Sequence, residues 1–199
     1  YPIFSILSIF IATFSLVLIT SIMDGFRNHI TQQLIQVNGP IQIQALNDNT
    51  LALSTLQNIT PSIQAISEYI EHPILFKKAK QTTLLSAQGI RIETEHSISN
   101  LHAKSSATRH LNLNSIIVGS LLKDQYFLKL GDTVSLIHPY SFKQEEFVIS
   151  GFYHSGLSFY DGYLIFMSFE KALSFFNENN AVSSYKVKLK DPNQASRVK

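Results

Sequence analysis

Seven histidines are the first place to look for chemistry in this sequence: His29, His72, His96, His102, His110, His138 and His154. His96, His102 and His110 share one polar segment, at spacings of six and eight. Zinc-ligand pairs usually sit roughly two to five residues apart, so these three read as solvated loop histidines. Two close acidic pairs, Glu93/Glu95 and Glu145/Glu146, could serve general acid–base work. The first projects to one face of an expected strand and the second splits between faces. Neither aligns with a nucleophile or base, so both read as solvated strand positions. No G-x-x-x-x-G-K-[ST] occurs, which excludes ATP binding through a P-loop, and H-E-x-x-H, G-x-S-x-G and G-x-G-x-x-G are also missing. There are no cysteines, hence no disulfide framework and no thiolate metal site. The net charge of +2, the 15% charged fraction and the lack of any basic cluster beyond Lys77-Lys78 with Lys80 argue against nucleic acid as a partner. The chemistry-bearing residues therefore predict a non-enzymatic chain that needs no cofactor and no metal.

The remaining candidates are aromatic. Phe152, Tyr153, Phe159, Tyr160, Tyr163 and Phe166 form one rich stretch. It is either the core of a β unit or an exposed surface for an apolar partner. The run Tyr163–Met167, apolar on both faces, favours core. Asp161-Gly162 within it reads as a turn.

The elements that must position these residues begin with an apolar segment. The first 23 residues carry no charge, and Ile3–Ile22 spans 20 residues, 13 of them Leu, Ile, Phe or Val. As a helix that is about 30 Å, the thickness of a bilayer core. It has no basic n-region and no small-residue cleavage site of the kind that marks a secretory signal. Residues 1–23 are therefore expected to be a membrane helix, and the unusual first residue, Tyr1, suggests a fragment. Beyond it, Met23, Phe26, Ile30, Leu34 and Val37 recur at helical spacing, so 24–37 reads as a stalk continuing the same helix. Its stripe Met23, Phe26, Ile30 either meets lipid or a partner stalk, or packs on the chain's own domain. Asn38-Gly39-Pro40 should end the helix.

Ile41–Ala45 alternates as a strand, and Asn47–Asn49 reads as a turn. Thr60-Pro61 then reads as the start of a helix with Ile63, Ile66 and Ile70 on one face. Strands are expected at Ile74–Phe76 and Thr82–Ile92, giving a β-α-β-β order, and residues 93–114 read as a connector. A second, mainly β unit follows. It comprises a short apolar segment at Ile116–Val118, a helix over Leu121–Leu130 and a turn at Gly131-Asp132. A hairpin of Thr133–His138 and Glu146–Tyr153 comes next, joined by the loop Pro139–Gln144. The unit ends with a strand at Tyr163–Met167 and a helix capped by Ser168. Tyr185, Val187 and Leu189 alternate with Lys186, Lys188 and Lys190, predicting a strand with one wet face. Asp191-Pro192 should open another helix. A β-α-β-β unit that regains a strand and a helix later implies that the second unit is inserted into the first.

Four stretches of this α+β chain resemble a known family. Ser21-Ile22-Met23-Asp24-Gly25-Phe26 is similar to the "S-[VI]-M-[ND]-G-F" step at the end of the first membrane helix in lipoprotein-releasing ABC transporter permeases of the LolC/LolE type, grouped with MacB-like permeases. Asn38–Ile43 resembles their "P-x-[IV]" lead-in to the first strand. Val118-Gly119 through Leu130-Gly131-Asp132-Thr133-Val134 resembles "[IL]-G-x-x-L-A-x-x-L-x-[VL]-x-x-G-D-x-[IV]". Asp161-Gly162-Tyr163 resembles a later "D-G-Y".

The resemblance implies a periplasmic region in two parts: a mixed α/β porter-like unit over 38–112 and 183–199, and an inserted mainly-β sabre-like unit over 113–182. It implies a bacterial inner-membrane permease that pairs with a second permease subunit and with ABC ATPase subunits. Its cargo would be lipoprotein, passed to a periplasmic chaperone, with Met23, Phe26 and Ile30 as the lipid or partner-stalk contact. The chaperone-facing loop would be Pro139, Tyr140, Phe142 and Lys143, shorter than the long hooking hairpin of LolC-type subunits. That short loop suits a LolE-like partner or a single permease serving both roles. Two other readings are a MacB-like exporter and the extracytoplasmic sensor of a membrane receptor.

Overall fold

The computed structural model describes residues 2–38, 41–44, 63–98, 111–177 and 184–189. Helix α1 runs unbroken over Pro2–Asn38, 37 residues, or about 55 Å. Its Pro2–Arg27 part is long and apolar enough to cross a membrane and is 0% buried against the rest of the chain. Ser8, Thr13 and Thr20 return their hydroxyls to carbonyls of the preceding turn, those of Phe4, Ile9 and Leu16, so no side-chain donor in that trio is left to face hydrocarbon.

The rest is one eight-stranded mixed sheet. Its strands are β1 (Ile41–Gln44), β2 (Ile63–Lys78), β3 (Gln81–Ile90), β4 (Ser115–Gly119), β5 (Thr133–Ile137), β6 (Gln144–Tyr153), β7 (Leu164–Ser168) and β8 (Ser184–Leu189). The spatial order is β1-β8-β2-β3-β7-β4-β6-β5, and β5 pairs again with β2. That last pairing closes β2, β3, β7, β4, β6 and β5 into a six-stranded barrel. Its interior holds Ile70, Ile74, Phe76, Val118, Phe147 and Met167, among others. Among the described residues four short helices, α2 (Ile92–Ile98), α3 (Ser120–Tyr126), α4 (Ser158–Tyr163) and α5 (Phe169–Phe176), lie in the connections.

The 16-residue β2 organises the whole. Residues 63–69 pair with β8 and residues 75–77 pair with β5, while β3 runs along the other side. The sheet therefore forks between Tyr69 and Leu75. Pro73 falls inside this fork, where β2 has β3 as its one described neighbour, and a missing N–H is tolerated there.

Several expectations are corrected. The helix expected after Thr60-Pro61 is not formed by Ile63, Ile66 and Ile70: these belong to β2. A bulge between Ile63 and Ala65 shifts the strand's phase and gives its isoleucines a false helical spacing. The connector expected at 93–114 contains α2, which places Glu93 and Glu95 on a helix. The helix expected over Leu121–Leu130 ends at Tyr126, because Phe127 turns left-handed (φ 50°) and its N–H bonds Lys123 O. Asp161-Gly162 lies in α4, not in a turn. The expectations at Gly39-Pro40, Asn47–Asn49, Thr60-Pro61 and Asp191-Pro192 lie outside the described residues.

Other expectations hold. Ser168 caps α5, its hydroxyl accepting the Lys171 N–H at 3.4 Å. Gly131 takes the positive φ of the turn before β5. In the aromatic stretch Tyr153 and Phe166 are core residues, whereas Phe159 is exposed.

Candidate functional site

Three places carry the residues of interest. The first is the exit of α1 from its apolar part. Met23 and Phe26 are each 62% exposed, so neither packs on the sheet domain. A methyl added at Gly25 between them would meet nothing within 4 Å. Ile30 lies on the same helix, but its side chain is outside the described residues.

The second is the β5–β6 loop. Tyr140 is 80% and Phe142 74% exposed, yet the backbone beneath them is firmly held. His138 N–H bonds Lys143 O and Phe142 N–H bonds His138 O, both at 2.9 Å. The His138 Nδ1 accepts the N–H groups of Tyr140 and Ser141 at 3.2 and 3.1 Å, which requires that nitrogen to be unprotonated. Lys143 reaches Ser174 O at 3.1 Å and Glu145 at 2.8 Å. Burial pulls the Glu145 carboxyl upward, but hydrogen bonds from Lys143 and Lys171 outweigh it and hold it below its usual range. Phe142 is left-handed (φ 56°), a conformation that disfavours a bulky side chain. Pro139 is half-buried at the loop's start.

The third was only partly visible in the sequence. At the junction of α3 and α4, Gly119 lies so close to the Asp161 backbone that a Cβ would collide with it. Asp161 is buried and accepts the N–H and hydroxyl of Ser155, each at 2.7 Å. His154 Nδ1 lies 2.7 Å from Asp161 Oδ2 and 2.9 Å from Ser120 Oγ. Serine, histidine and aspartate thus meet, but serine and aspartate share the same ring nitrogen. A relay would need them on opposite nitrogens. The cluster is a clamp, and it brings the third and fourth sequence motifs into contact. Nearby, burial pushes the Tyr153 phenol well above its usual value, and its hydroxyl donates toward carbonyls of Tyr160 and Leu164.

Sequence reasoning missed one buried polar chain entirely. Lys186, expected on a wet face, is fully buried. Its ammonium bonds Glu95 Oε1 at 2.9 Å and Gln88 Oε1 at 2.8 Å and lies 5.2 Å from the centre of the Tyr69 ring. Helix α2, which the sequence did not reveal, brings Glu95 over β8 and covers that face. Among the described residues no group of three or more His, Cys, Asp or Glu could hold a metal ion.

The chain thus joins a helix long and apolar enough to cross a membrane to an α+β sheet domain with a clamp at its α3–α4 junction. The chain belongs to the MacB-like periplasmic core domain family, whose profile matches residues 3–199. It is 29% identical over 202 residues to the lipoprotein-releasing system transmembrane protein LolC of Buchnera aphidicola subsp. Schizaphis graminum, and 28% identical over 210 residues to LolC of the subspecies from Acyrthosiphon pisum. Each alignment covers 96% of this chain and 51% of the relative, so the chain spans about half the length of the curated relatives it matches. Its fold is similar to the extracellular domain of the ABC-type transporter YknZ from Gram-positive bacteria. That likeness has TM-score 0.51 and 12% identity and covers 82% of this chain and 81% of the other. It is also similar to the periplasmic region of MacB from Actinobacillus actinomycetemcomitans, with TM-score 0.50 and 15% identity, covering 76% and 67%.

Proposed function

We propose that this chain forms the first membrane helix and periplasmic domain of a permease subunit in a lipoprotein-releasing ABC transporter of the bacterial inner membrane. Hydrolysis of ATP falls to separate ABC ATPase subunits, and a second permease subunit completes the pathway. The observation that carries this reading is the unbroken α1. One helix runs from the apolar span to Asn38, separated from β1 by two residues, and can convey a rigid-body movement along its length. The sequence likeness to LolC proteins along 96% of the chain supports lipoprotein as the cargo. Met23, Phe26 and Ile30 are the proposed contact for acyl chains or the partner stalk.

The periplasmic part divides into a porter-like unit (38–112 and 183–199) and a sabre-like unit (113–182). The sheet order supports this: β1, β8, β2 and β3 stand together, as do β7, β4, β6 and β5. Pro139, Tyr140, Phe142 and Lys143 face the periplasmic carrier, supported by a loop that holds two exposed aromatic rings on a fixed backbone.

Reconstitution of the complete transporter in proteoliposomes with the carrier protein tests the proposal. Met23→Glu and Phe26→Glu should insert normally and lower lipoprotein release by about tenfold or more, since a charge on an apolar contact is costly. A photo-crosslinker at position 140 or 142 should capture the carrier. Normal release by both charged variants would remove the acyl-path role. Export of small molecules with no lipoprotein release would instead support the MacB-like reading.

A further inference from the structure

The fork in the sheet opens a cleft of about 450 Å³ lined by Tyr69, Glu71, His72, Pro73, Ser86, Tyr163 and Ser184. That is the size range of small-ligand sites. Its one carboxylate, Glu71, is aimed rather than loose. Ser86 donates its hydroxyl to Oε1 at 2.8 Å, and Gln88 donates Nε2 to Oε2 at 3.0 Å. The Gln88 amide is itself fixed from behind, because its Oε1 accepts from the buried Lys186, which is paired with Glu95. A buried ion pair adds little to stability relative to apolar packing; here its visible effect is to lock Gln88 and, through it, Glu71. Glu68, Glu95, Asp132, Glu145 and Glu170 each have a lysine or arginine within bridging distance. Among the described residues, Glu71 has none. With Glu71 and Glu95 against the single charge of Lys186, the cluster is net negative. The field is felt by Tyr69: burial raises its phenol, and the two carboxylates raise it further, against the Ser184 hydrogen bond.

We infer that this fork cleft is a binding site for the cationic side chain, ammonium or guanidinium, of a lysine or arginine on a docking polypeptide. The Glu71 carboxylate would receive the charge, with the Tyr69 and Tyr163 rings flanking the aliphatic stem. A lipid ammonium carries the same chemistry, but the position favours polypeptide. The stalk beyond Asp24 rises about 20 Å, and the fork begins at Tyr69, which shares its β8 partner Ser184 with Gln44, about 10 Å of strand past the start of β1.

The test uses this chain in detergent micelles and ligand-observed saturation-transfer NMR. Nα-acetyl-lysine methylamide should bind saturably, with Kd on the order of millimolar, the ion pair acting together with burial of the stem between the two rings. The uncharged Nα-acetyl-norleucine methylamide should bind roughly tenfold more weakly, as should the lysine probe to Glu71→Gln, each losing one charge-assisted hydrogen bond. Ser86→Ala, which leaves the charge but loosens its aim, should weaken lysine binding by a smaller factor. Equal binding of both probes, or undiminished binding to Glu71→Gln with an unchanged melting temperature, would overturn the site. Should Glu71→Gln not fold, undiminished binding to Ser86→Ala overturns the aimed carboxylate. Glycerophosphoethanolamine binding more tightly than the lysine probe would overturn the polypeptide assignment in favour of a lipid headgroup.

Discussion

Lys186 shows how one residue can carry opposite meanings in sequence and in space. Alternation with Tyr185 and Val187 placed it on a solvated face, and its side chain does point away from theirs. Nothing local signals that α2 returns 91 residues earlier in the chain to cover it with Glu95. Truncating it as Lys186→Met leaves a buried carboxylate behind and should lower unfolding free energy by about 3–5 kcal/mol. The double variant Lys186→Met/Glu95→Leu should regain most of that loss, as chemical denaturation would show. If the single and double variants are equally destabilised, the ion pair is not the source. Asp132 sets a pH dependence at the same scale. The Lys78 ammonium at 2.7 Å and the Lys129 N–H hold its carboxyl below the usual range, and Glu145 is held low as well. A carboxyl depressed on folding stabilises above its unfolded pKa and loses that contribution as pH falls through the folded value. Stability should therefore drop on acidification below about pH 4. Asp132→Asn with Glu145→Gln should flatten that drop, read from melting temperature against pH.

At the scale of elements, strands β5 and β6 and helix α5 were legible because period-2 patterns, Gly131-Asp132 and the Ser168 cap all act within a few residues, and β7 because it is one continuous apolar run. β2 was not, because its bulge and its in-strand Pro73 are explained only by which neighbours it gains and loses along its length. The clamp was half legible: Val118-Gly119 and Asp161-Gly162-Tyr163 were each noticed, but their contact depends on how α3 and α4 pack. Gly119→Ala should push Asp161 and α4 away and cost about 1–3 kcal/mol. The measurement is denaturant unfolding, with hydrogen exchange at 154–163 rising ahead of the rest of the sheet. Protection unchanged at those residues would mean that the clamp absorbs the methyl.

For the whole molecule, family and apolar helix could be read from sequence, since both lie in contiguous stretches. Closure of the barrel could not, because it rests on the β2–β5 and β3–β7 registers between distant segments. If the stalk transmits movement, its stiffness matters more than its composition. Gly25→Ala adds a methyl into open space and stiffens the helix by about 1 kcal/mol, so release should persist. Phe26→Pro breaks the helix at a cost of about 3 kcal/mol. It should abolish release while the sheet domain melts at its usual temperature; normal release by this variant would show that α1 need not be continuous.

The fork also has a consequence for biosynthesis. β3 follows β2 across a tight turn and can pair at once, but Tyr69 waits for Ser184, 115 residues later. At about 5–20 residues per second, the first half of β2 stands as an uncovered edge for at least roughly 6–23 seconds in every newly made chain, and β1, which waits about 140 residues for the same strand, for longer. That is a window in which neighbouring nascent copies, or a folding helper, compete for the place that β8 will take.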